Sequence, residues 1–228
     1  MSTPELPAAV LWDMDGTIID TEPFWMAEET ALVEAAGGRW TRADAEELVG
    51  SELMRSARLL LDRTPVTGTP QQVVDRLVAG VIERVRTERP WRPGSVELLT
   101  ELASLGVPSA LVTMSWTELA DVVVEGLPPG IFSTVVTGDQ VTRGKPDPEP
   151  YLVAASRLGV DPRRCVALED SPTGAAAATA AGVPTLGIPN VVAIPPRPGL
   201  RLLDSLAGVR AHDLLPLARD ARVEAAGG

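Results

Sequence analysis

The 228-residue sequence is 45% apolar, enough for a large domain with a sizeable buried core, and its formal net charge of −11 argues against nucleic acid or an anionic membrane as a partner. Its single cysteine, Cys165, excludes an internal disulfide and is expected to be a small buried apolar residue rather than a reactive thiol. Because residues 1–7 do not resemble a signal peptide and no apolar run is long enough to cross a bilayer, a cytoplasmic protein is expected.

The first predicted element is a short buried strand at residues 8–12, which runs into a polar turn at residues 13–17. A helical stretch follows. Residues 28–36 are rich in helix formers, and Thr41 with Asp44 has the spacing of a capping box, which indicates a second helix.

The same capping signal recurs at Thr69 and Gln72, with Pro70 at the first helical position. Apolar residues then follow the 3.6-residue period of an amphipathic helix over residues 73–85. The helical stretch is therefore expected to continue to about residue 90.

After residue 90 the pattern changes to an alternation of helices and strands. Three times a helical segment ends at a glycine and leads into a short apolar strand, and Val135 with Val136 adds a further strand. The three helix and strand pairs are residues 95–105 with 109–113, 150–158 with 164–168, and 172–181 with 184–188.

This alternation is typical of a parallel sheet flanked by helices, so the predicted fold is α/β with a doubly wound, Rossmann-like core and an inserted helical domain. The core is predicted to comprise residues 1–17 and 91–228, and the insert residues 18–90. Residues 188–198, which include four prolines, are expected to form an ordered surface loop, and residues 221–228 a frayed tail.

Polar side chains follow the predicted strands at their carboxyl ends, where parallel sheets place reactive sites. The sequence offers few side chains for general acid–base catalysis. Its only lysine is Lys145, and its only histidine, His212, lies near the C-terminus and is expected at the surface. A Ser-His-Asp triad or a multi-histidine metal site is therefore disfavoured, and acid–base catalysis must depend on carboxylates. The candidate site residues are Asp13, Asp15, Thr113, Lys145, Glu169 and Asp170.

Four carboxylates cannot crowd together in ionised form without a cation, and oxygen ligands without His or Cys favour Mg²⁺. An aspartate can attack phosphorus as a nucleophile, and a second aspartate two residues later can move the protons. Thr113 can hold a phosphoryl oxygen, and Lys145 can neutralise charge on the nucleophile and the phosphoryl group.

Four segments resemble the motifs of the haloacid dehalogenase-like phosphatase superfamily. They are DMDGT at 13–17, LVT at 111–113, GKPDP at 144–148 and LEDSPTG at 168–174. The resemblance covers nearly the whole chain and implies a small helical cap that closes over compact substrates.

The family resemblance also implies roles for the site residues. Asp13 would be the nucleophile and Asp15 the acid/base, while Thr113 and Lys145 would contact the phosphate. Magnesium would be bound by the carboxylates of Asp13, Glu169 and Asp170 and by the main-chain carbonyl of Asp15. The implied substrate is a small phosphorylated metabolite, either a sugar phosphate or a phosphoglycolate-like acid, and the implied state is a monomer or weak homodimer.

Branches of the superfamily differ at a few positions. The dehalogenases lack the second aspartate, which Asp15 supplies here, and the phosphonate hydrolases need a lysine in the cap, which this chain does not have. A β-phosphoglucomutase-like enzyme is the main alternative, and the resemblance implies a histidine and a lysine in the cap of that mutase. Trp25 stands where the histidine is expected, and the cap has no lysine. A non-catalytic phospholigand-binding module is a third hypothesis.

Several other residues have two possible roles. Ser171 is expected to cap the next helix, and Asp147 either orients Lys145 or caps a turn. Trp25 is expected to pack within the cap rather than hold substrate, and specificity is expected to lie in residues 48–52. The cap arginines are expected to be mostly solvated surface residues; they are Arg39, Arg55, Arg58 and Arg63.

Overall fold

The computed structural model describes residues 5–220, so the frayed tail expected at 221–228 lies outside the described residues. Within that range six parallel strands form one sheet in the order β3-β2-β1-β4-β5-β6, with helices packed against it. The predicted α/β Rossmann-like fold is therefore confirmed.

The strands are β1 Val10–Trp12, β2 Ser109–Val112, β3 Thr134–Val136, β4 Val166–Glu169, β5 Thr185–Gly187 and β6 Leu200–Leu202. The helices are α1 Glu22–Ala35, α2 Arg42–Glu46, α3 Leu53–Arg63, α4 Pro70–Thr87, α5 Ser95–Ser104, α6 Thr117–Val124, α7 Glu149–Leu158, α8 Pro172–Ala180 and α9 Leu214–Asp220.

Strand β1 lies in the middle of the sheet and is wholly buried. Its register places Trp12 beside Leu111 of β2 and Leu168 of β4. Because the three strands are parallel, the residues that follow them meet at one edge of the sheet. The sheet therefore brings together the segments that carry the candidate site residues.

Strand β6 and helices α6 and α9 were absent from the prediction, and α3 was not predicted separately within the helical stretch. Strand β6 is a three-residue edge strand whose Leu202 is exposed, so it has no continuous apolar run to reveal it. Helix α6 is short and follows directly on the polar segment after β2. Helix α1 also begins at Glu22 rather than at residue 28, because Pro23 is accommodated in its first turn, where no backbone N–H is needed.

Both predicted capping boxes are confirmed. The hydroxyl of Thr41 accepts a hydrogen bond from the backbone N–H of Asp44 at 3.3 Å, and that of Thr69 accepts from Gln72 at 3.2 Å. These caps satisfy backbone donors that a helix start leaves without partners.

The chain enters and leaves the α1–α4 segment at neighbouring points. Ile19 and Trp91 form an antiparallel bridge, and the backbone N–H of Arg92 donates to the carbonyl of Ile18 at 2.8 Å. The hydroxyl of Ser95 donates to the same carbonyl at 3.0 Å. The division into a core and a cap at these crossings stays a prediction.

Three smaller expectations are confirmed. Cys165 is buried, and burial raises the pKa of its thiol to about 11, while His212 is exposed. Residues 188–198 form an ordered loop that is anchored by the buried side chains of Ile188 and Ile194.

Among the described residues, no helix has both the length and the apolar character that crossing a bilayer requires.

Candidate active site

The carboxyl ends of β1 and β4 place three buried carboxylates around one buried lysine. The Nζ atom of Lys145 lies 2.6 Å from Oδ1 of Asp13 and 2.6 Å from Oε1 of Glu169. Burial alone would lower the pKa of Lys145, but the negative charges of Asp13 and Glu169 outweigh that effect and raise it. The lysine therefore supplies a fixed positive charge.

Both oxygens of Glu169 already accept hydrogen bonds. The Oε1 atom also accepts from the hydroxyl of Tyr151 at 2.5 Å, and Oε2 accepts from the hydroxyl of Ser171 at 3.2 Å. Helix α8 can approach this carboxylate because residue 174 is a glycine. A Cβ atom there would lie 1.9 Å from Oε1 of Glu169. Gly174 thus makes the space in which the carboxylate sits.

The donor set fits a divalent cation that prefers oxygen ligands. One carboxylate oxygen each from Asp13, Glu169 and Asp170 lies within 4.8 Å of the others. The Oδ2 atoms of Asp13 and Asp170 are buried and have no hydrogen-bond partner among the described residues. An unpaired buried carboxylate oxygen is costly, so both atoms suit metal ligands. Gly16 leaves room for one of them, since a Cβ there would lie 1.9 Å from Oδ2 of Asp170.

Electrostatics lead to the same conclusion. Burial raises the pKa of Asp13 to about 7, against the lowering effect of Lys145. Burial, followed by the charges of Asp13 and Glu169, raises the pKa of Asp170 well above its usual range. A bound cation would favour the ionised form of both carboxylates.

Asp15 is held by four donors at the start of the loop after β1. Its Oδ1 accepts from the hydroxyl of Thr21 at 2.5 Å and from Nε1 of Trp25 at 3.3 Å. Its Oδ2 accepts from the hydroxyls of Thr113 at 3.2 Å and Ser115 at 2.8 Å. These contacts fix the orientation of the Asp15 carboxylate.

Thr113 and Ser115 occupy different places in this arrangement. Thr113 is fully buried and is absent from the wall of the cavity beside Asp13, whereas Ser115 lines that cavity. The contact of Thr113 with phosphate stays a prediction. Ser115 was overlooked, although its spacing of two residues from Thr113 puts both on the same side of extended chain.

The cavity volume open to water is about 60 Å³. One water needs roughly 10–15 Å³ of such volume, so the cavity has room for a handful of waters. It is lined by Asp13, Asp15, Glu22, Trp25, Met26, Glu29, Ala45, Leu48, Val49, Gly50, Ser51, Leu53, Ser56, Leu77, Met114, Ser115, Lys145, Asp170 and Ser171. The lining includes residues 48–51 of the segment expected to set specificity but not Glu52. None of the four cap arginines lines it, and all four are exposed, as expected.

Helix α1 contributes two further carboxylates that the sequence interpretation overlooked. Glu29 is 5% exposed, and its Oε2 accepts from Nε1 of Trp40 at 3.1 Å. Burial raises the pKa of Glu29 to about 7, although the bond from Trp40 lowers it. Glu22 is 6% exposed, and burial, then the charges of Asp15 and Glu29, raise its pKa well above the usual range.

The structure resolves three ambiguous residues. Ser171 caps α8, as expected, by accepting from the backbone N–H of Gly174 at 3.1 Å. Asp147 accepts from the backbone N–H of Glu149 at 3.0 Å and so caps a turn rather than orienting Lys145. Trp25, which was expected to pack rather than hold substrate, lies in a large buried apolar cluster but also lines the cavity.

Comparison with known proteins adds independent findings. A family model described as a haloacid dehalogenase-like hydrolase matches residues 7–182. Hexitol phosphatase B of Escherichia coli is 33% identical over 192 residues, covering 83% of this chain and 86% of the relative. A phosphorylated carbohydrates phosphatase of Thermotoga maritima is 32% identical, covering 77% and 82%. The crystal structure of CbbY from Rhodobacter sphaeroides with phosphate superposes with a TM-score of 0.83 at 28% identity, covering 92% and 100%.

Proposed function

The chain belongs to the haloacid dehalogenase-like hydrolases, which confirms the resemblance seen in its motifs, and from that membership we propose that it is a magnesium-dependent phosphatase of small phosphate monoesters. The reaction would pass through an aspartyl-phosphate on Asp13. The observation that carries the proposal is the position of Asp13 at the end of the central strand, bonded to Lys145 at 2.6 Å, with its other oxygen free to react or bind metal.

In the first step a carboxylate oxygen of Asp13 attacks phosphorus, and the bond between phosphorus and the leaving alcohol oxygen breaks. Asp15 gives its proton to that oxygen. In the second step water attacks the phosphorus of the aspartyl-phosphate and gives its proton to Asp15. The bond between phosphorus and the Asp13 oxygen breaks, which releases inorganic phosphate and restores the Asp13 carboxylate. The four donors around Asp15 support this role, because they hold its carboxylate in a fixed orientation.

Magnesium would be held by the carboxylates of Asp13 and Asp170, whose Oδ2 atoms need a partner. Glu169 belongs to the same cluster, but its oxygens accept from Lys145, Tyr151 and Ser171, so it also positions the lysine. When bound, the ion supplies charge neutralisation at the phosphoryl oxygens. The implied ligation by the main-chain carbonyl of Asp15 is part of this proposal.

Lys145 neutralises charge on Asp13 and on the transferring phosphoryl group. Thr113 would contact a phosphoryl oxygen as the family resemblance implies, and Ser115 is a second hydroxyl at the cavity wall. Both hydroxyls also bond to Asp15, so the acid/base and the phosphate site would share one hydrogen-bond network.

A β-phosphoglucomutase-like activity remains the alternative. Two observations argue against it. Trp25 occupies the position beside Asp15, where its indole donates to Oδ1 at 3.3 Å. The mutase was expected to place a histidine there. Within the described residues, Lys145 is also the only cationic side chain that lines the cavity.

Release of inorganic phosphate from a panel of metabolite phosphates tests the proposal. We expect steady-state release that stops with a chelator and returns with Mg²⁺. Interconversion of hexose 1- and 6-phosphates without net release would instead establish a mutase. Binding without turnover would indicate a phospholigand-binding module, and stronger activation by Zn²⁺ would contradict the all-oxygen metal site.

A further inference from the structure

One face of α1 carries the part of the cavity that the catalytic proposal does not use. Glu22, Trp25, Met26 and Glu29 follow one another at intervals of three, one and three residues, so they share one side of the helix. All four line the cavity that also contains Asp13. A phosphate ester bound at Asp13 therefore has this helix face available to its alcohol portion.

The charged residues of the cavity are strongly unbalanced. In residues 5–220 its wall contains one cation, Lys145, whose Nζ is already bonded to Asp13 and Glu169. The alcohol portion of a substrate would meet only Glu22 and Glu29 as further charged groups. Carboxylates accept hydrogen bonds from hydroxyls in either protonation state, and neither state carries the positive charge that an anionic group needs.

Glu22 points to a ligand because it is buried without a partner. It is 6% exposed and lines the cavity, and only burial and neighbouring charges, with no hydrogen bond among the described residues, act on its carboxyl group. Glu29 has one oxygen bonded to Trp40 and the other without a partner in the same residues. Burying a carboxylate is costly unless donors compensate it, and substrate hydroxyls would be such donors.

We propose that Glu22 and Glu29 form a hydroxyl-binding subsite that selects phosphate esters of uncharged polyhydroxylated alcohols. The same subsite rejects substrates with a carboxylate or a second phosphate, because it offers such a buried anionic group no free cation. This inference rests on the proposed phosphatase function, and it removes phosphoglycolate-like acids from the substrates considered above. Leu48 and Val49 provide apolar surface in the same cavity for carbon-bound hydrogens of such a substrate.

Three probe substrates distinguish an effect on substrate selection by the subsite from an effect on the reaction at Asp13. Sorbitol 6-phosphate has a neutral polyol portion, 2-phosphoglycolate has an anionic one, and the acetyl portion of acetyl phosphate carries neither a hydroxyl nor a charge. In Glu22→Gln we expect kcat/KM for sorbitol 6-phosphate to fall about 3- to 10-fold, the range for a hydrogen bond between uncharged groups. The value for acetyl phosphate should change less than about 2-fold, and that for 2-phosphoglycolate should rise, because the amide of Gln can donate to its carboxylate.

Glu34→Gln is the matched control, because Glu34 is exposed on the same helix and should leave all three values unchanged. A wild-type preference for 2-phosphoglycolate over sorbitol 6-phosphate would overturn the inference. An equal loss with all three probes in Glu22→Gln would overturn it too, because it would indicate a structural role.

A binding measurement keeps this inference separate from the proposed reaction. In Asp13→Asn with Mg²⁺, titration calorimetry should give a lower Kd for sorbitol 6-phosphate than for 2-phosphoglycolate, and Glu29→Gln should reduce that difference. If wild type hydrolyses none of the probes, the proposed function fails, whereas the Kd ratio still decides the subsite. A ratio that favours 2-phosphoglycolate contradicts it.

Discussion

The cavity has two acidic regions that are built in opposite ways. At the strand ends, Asp13, Glu169 and Asp170 surround Lys145, and the ion pairs join segments that are far apart in the chain. On α1, Glu22 and Glu29 lie on one helix, and a single indole bonds to the pair. The first region has a cation and unpartnered oxygens that suit another, whereas no cationic side chain among the described residues bonds to the second.

In the proposals above, the strand-end region carries out the reaction and the α1 region selects the substrate. The strand-end cluster depends on several strands, so any one substitution there disturbs several contacts. On the α1 face, Glu22 and Glu29 form no hydrogen bond with the reacting groups among the described residues, so these two can change without moving them. Substitutions in the two regions should accordingly differ in the size and kind of their effects.

The largest effect is expected for Asp13→Asn at the strand ends. Loss of the nucleophile should lower kcat at least about 10⁴-fold, as for removal of a residue that acts within a catalytic unit. Folding should persist, because an amide of the same shape relieves repulsion among the carboxylates. Phosphate release and circular dichroism measure the two effects, with Asp62→Asn on the exposed side of α3 as a control. Near-wild-type turnover would remove Asp13 from the mechanism.

Asp15→Asn should lower kcat by about 10²- to 10³-fold with an alkyl phosphate, because the leaving oxygen no longer receives a proton. The loss should be smaller with an aryl phosphate, whose leaving group needs little protonation. The ratio of the two losses is the measurement. Equal losses would show that Asp15 positions groups rather than transferring protons.

Lys145→Met should lower the free energy of unfolding by about 3–5 kcal/mol near neutral pH, because Asp13 and Glu169 lose their buried partner. Arg84→Met, which breaks an exposed ion pair with Glu28, should cost at most about 1 kcal/mol. Urea denaturation of both variants tests the contrast. A similar cost at the two positions would mean that the buried pair contributes no more than a surface pair.

On the α1 face, Glu29 should make stability depend on pH. Its pKa is about 7 in the folded protein and 4.5 when solvated, so its contribution is fully present below pH 4.5 and is lost as pH rises through 7. The difference corresponds to about 3 kcal/mol. Glu29→Gln should remove that part of the decline, while Glu22 leaves a residual slope of the same sign. Unfolding curves between pH 4.5 and 8 measure this effect. An equal decline in the free energy of unfolding of wild type and Glu29→Gln would contradict it.

The smallest effect is expected for Trp40→Phe, which removes the hydrogen bond to Glu29 and should cost about 1 kcal/mol at neutral pH. Because that bond lowers the pKa of Glu29, its loss should move the pH-dependent decline towards higher pH. The same unfolding curves measure the displacement. A displacement towards lower pH would contradict the role of the indole.

Much of the strand-end region was predictable because its residues follow apolar strands in a fixed order. Alternation of helix, glycine and strand predicted the sheet, and the sheet order then brings Asp13 and Asp170 together. The donors around Glu169 were not predictable. Tyr151 lies on α7 and reaches the carboxylate only through packing between elements, which leaves no local pattern.

The α1 face was missed for a different reason. The predicted helix began at residue 28, which left Glu22 and Trp25 outside it and hid their spacing relative to Glu29. The Pro23 signal for a helix start was present but was not used. By contrast, nothing local indicates that Trp40 bonds to Glu29, because Trp40 lies beyond the end of α1.

The burial of Lys145 also makes it a reporter of opening motions. It is the only lysine in the sequence, and its side chain is 2% exposed. An amine-reactive reagent can therefore modify this side chain only in molecules whose catalytic centre has opened. The labelling rate at Lys145, separated from the α-amino group by peptide mapping, would give the opening free energy of the centre under native conditions.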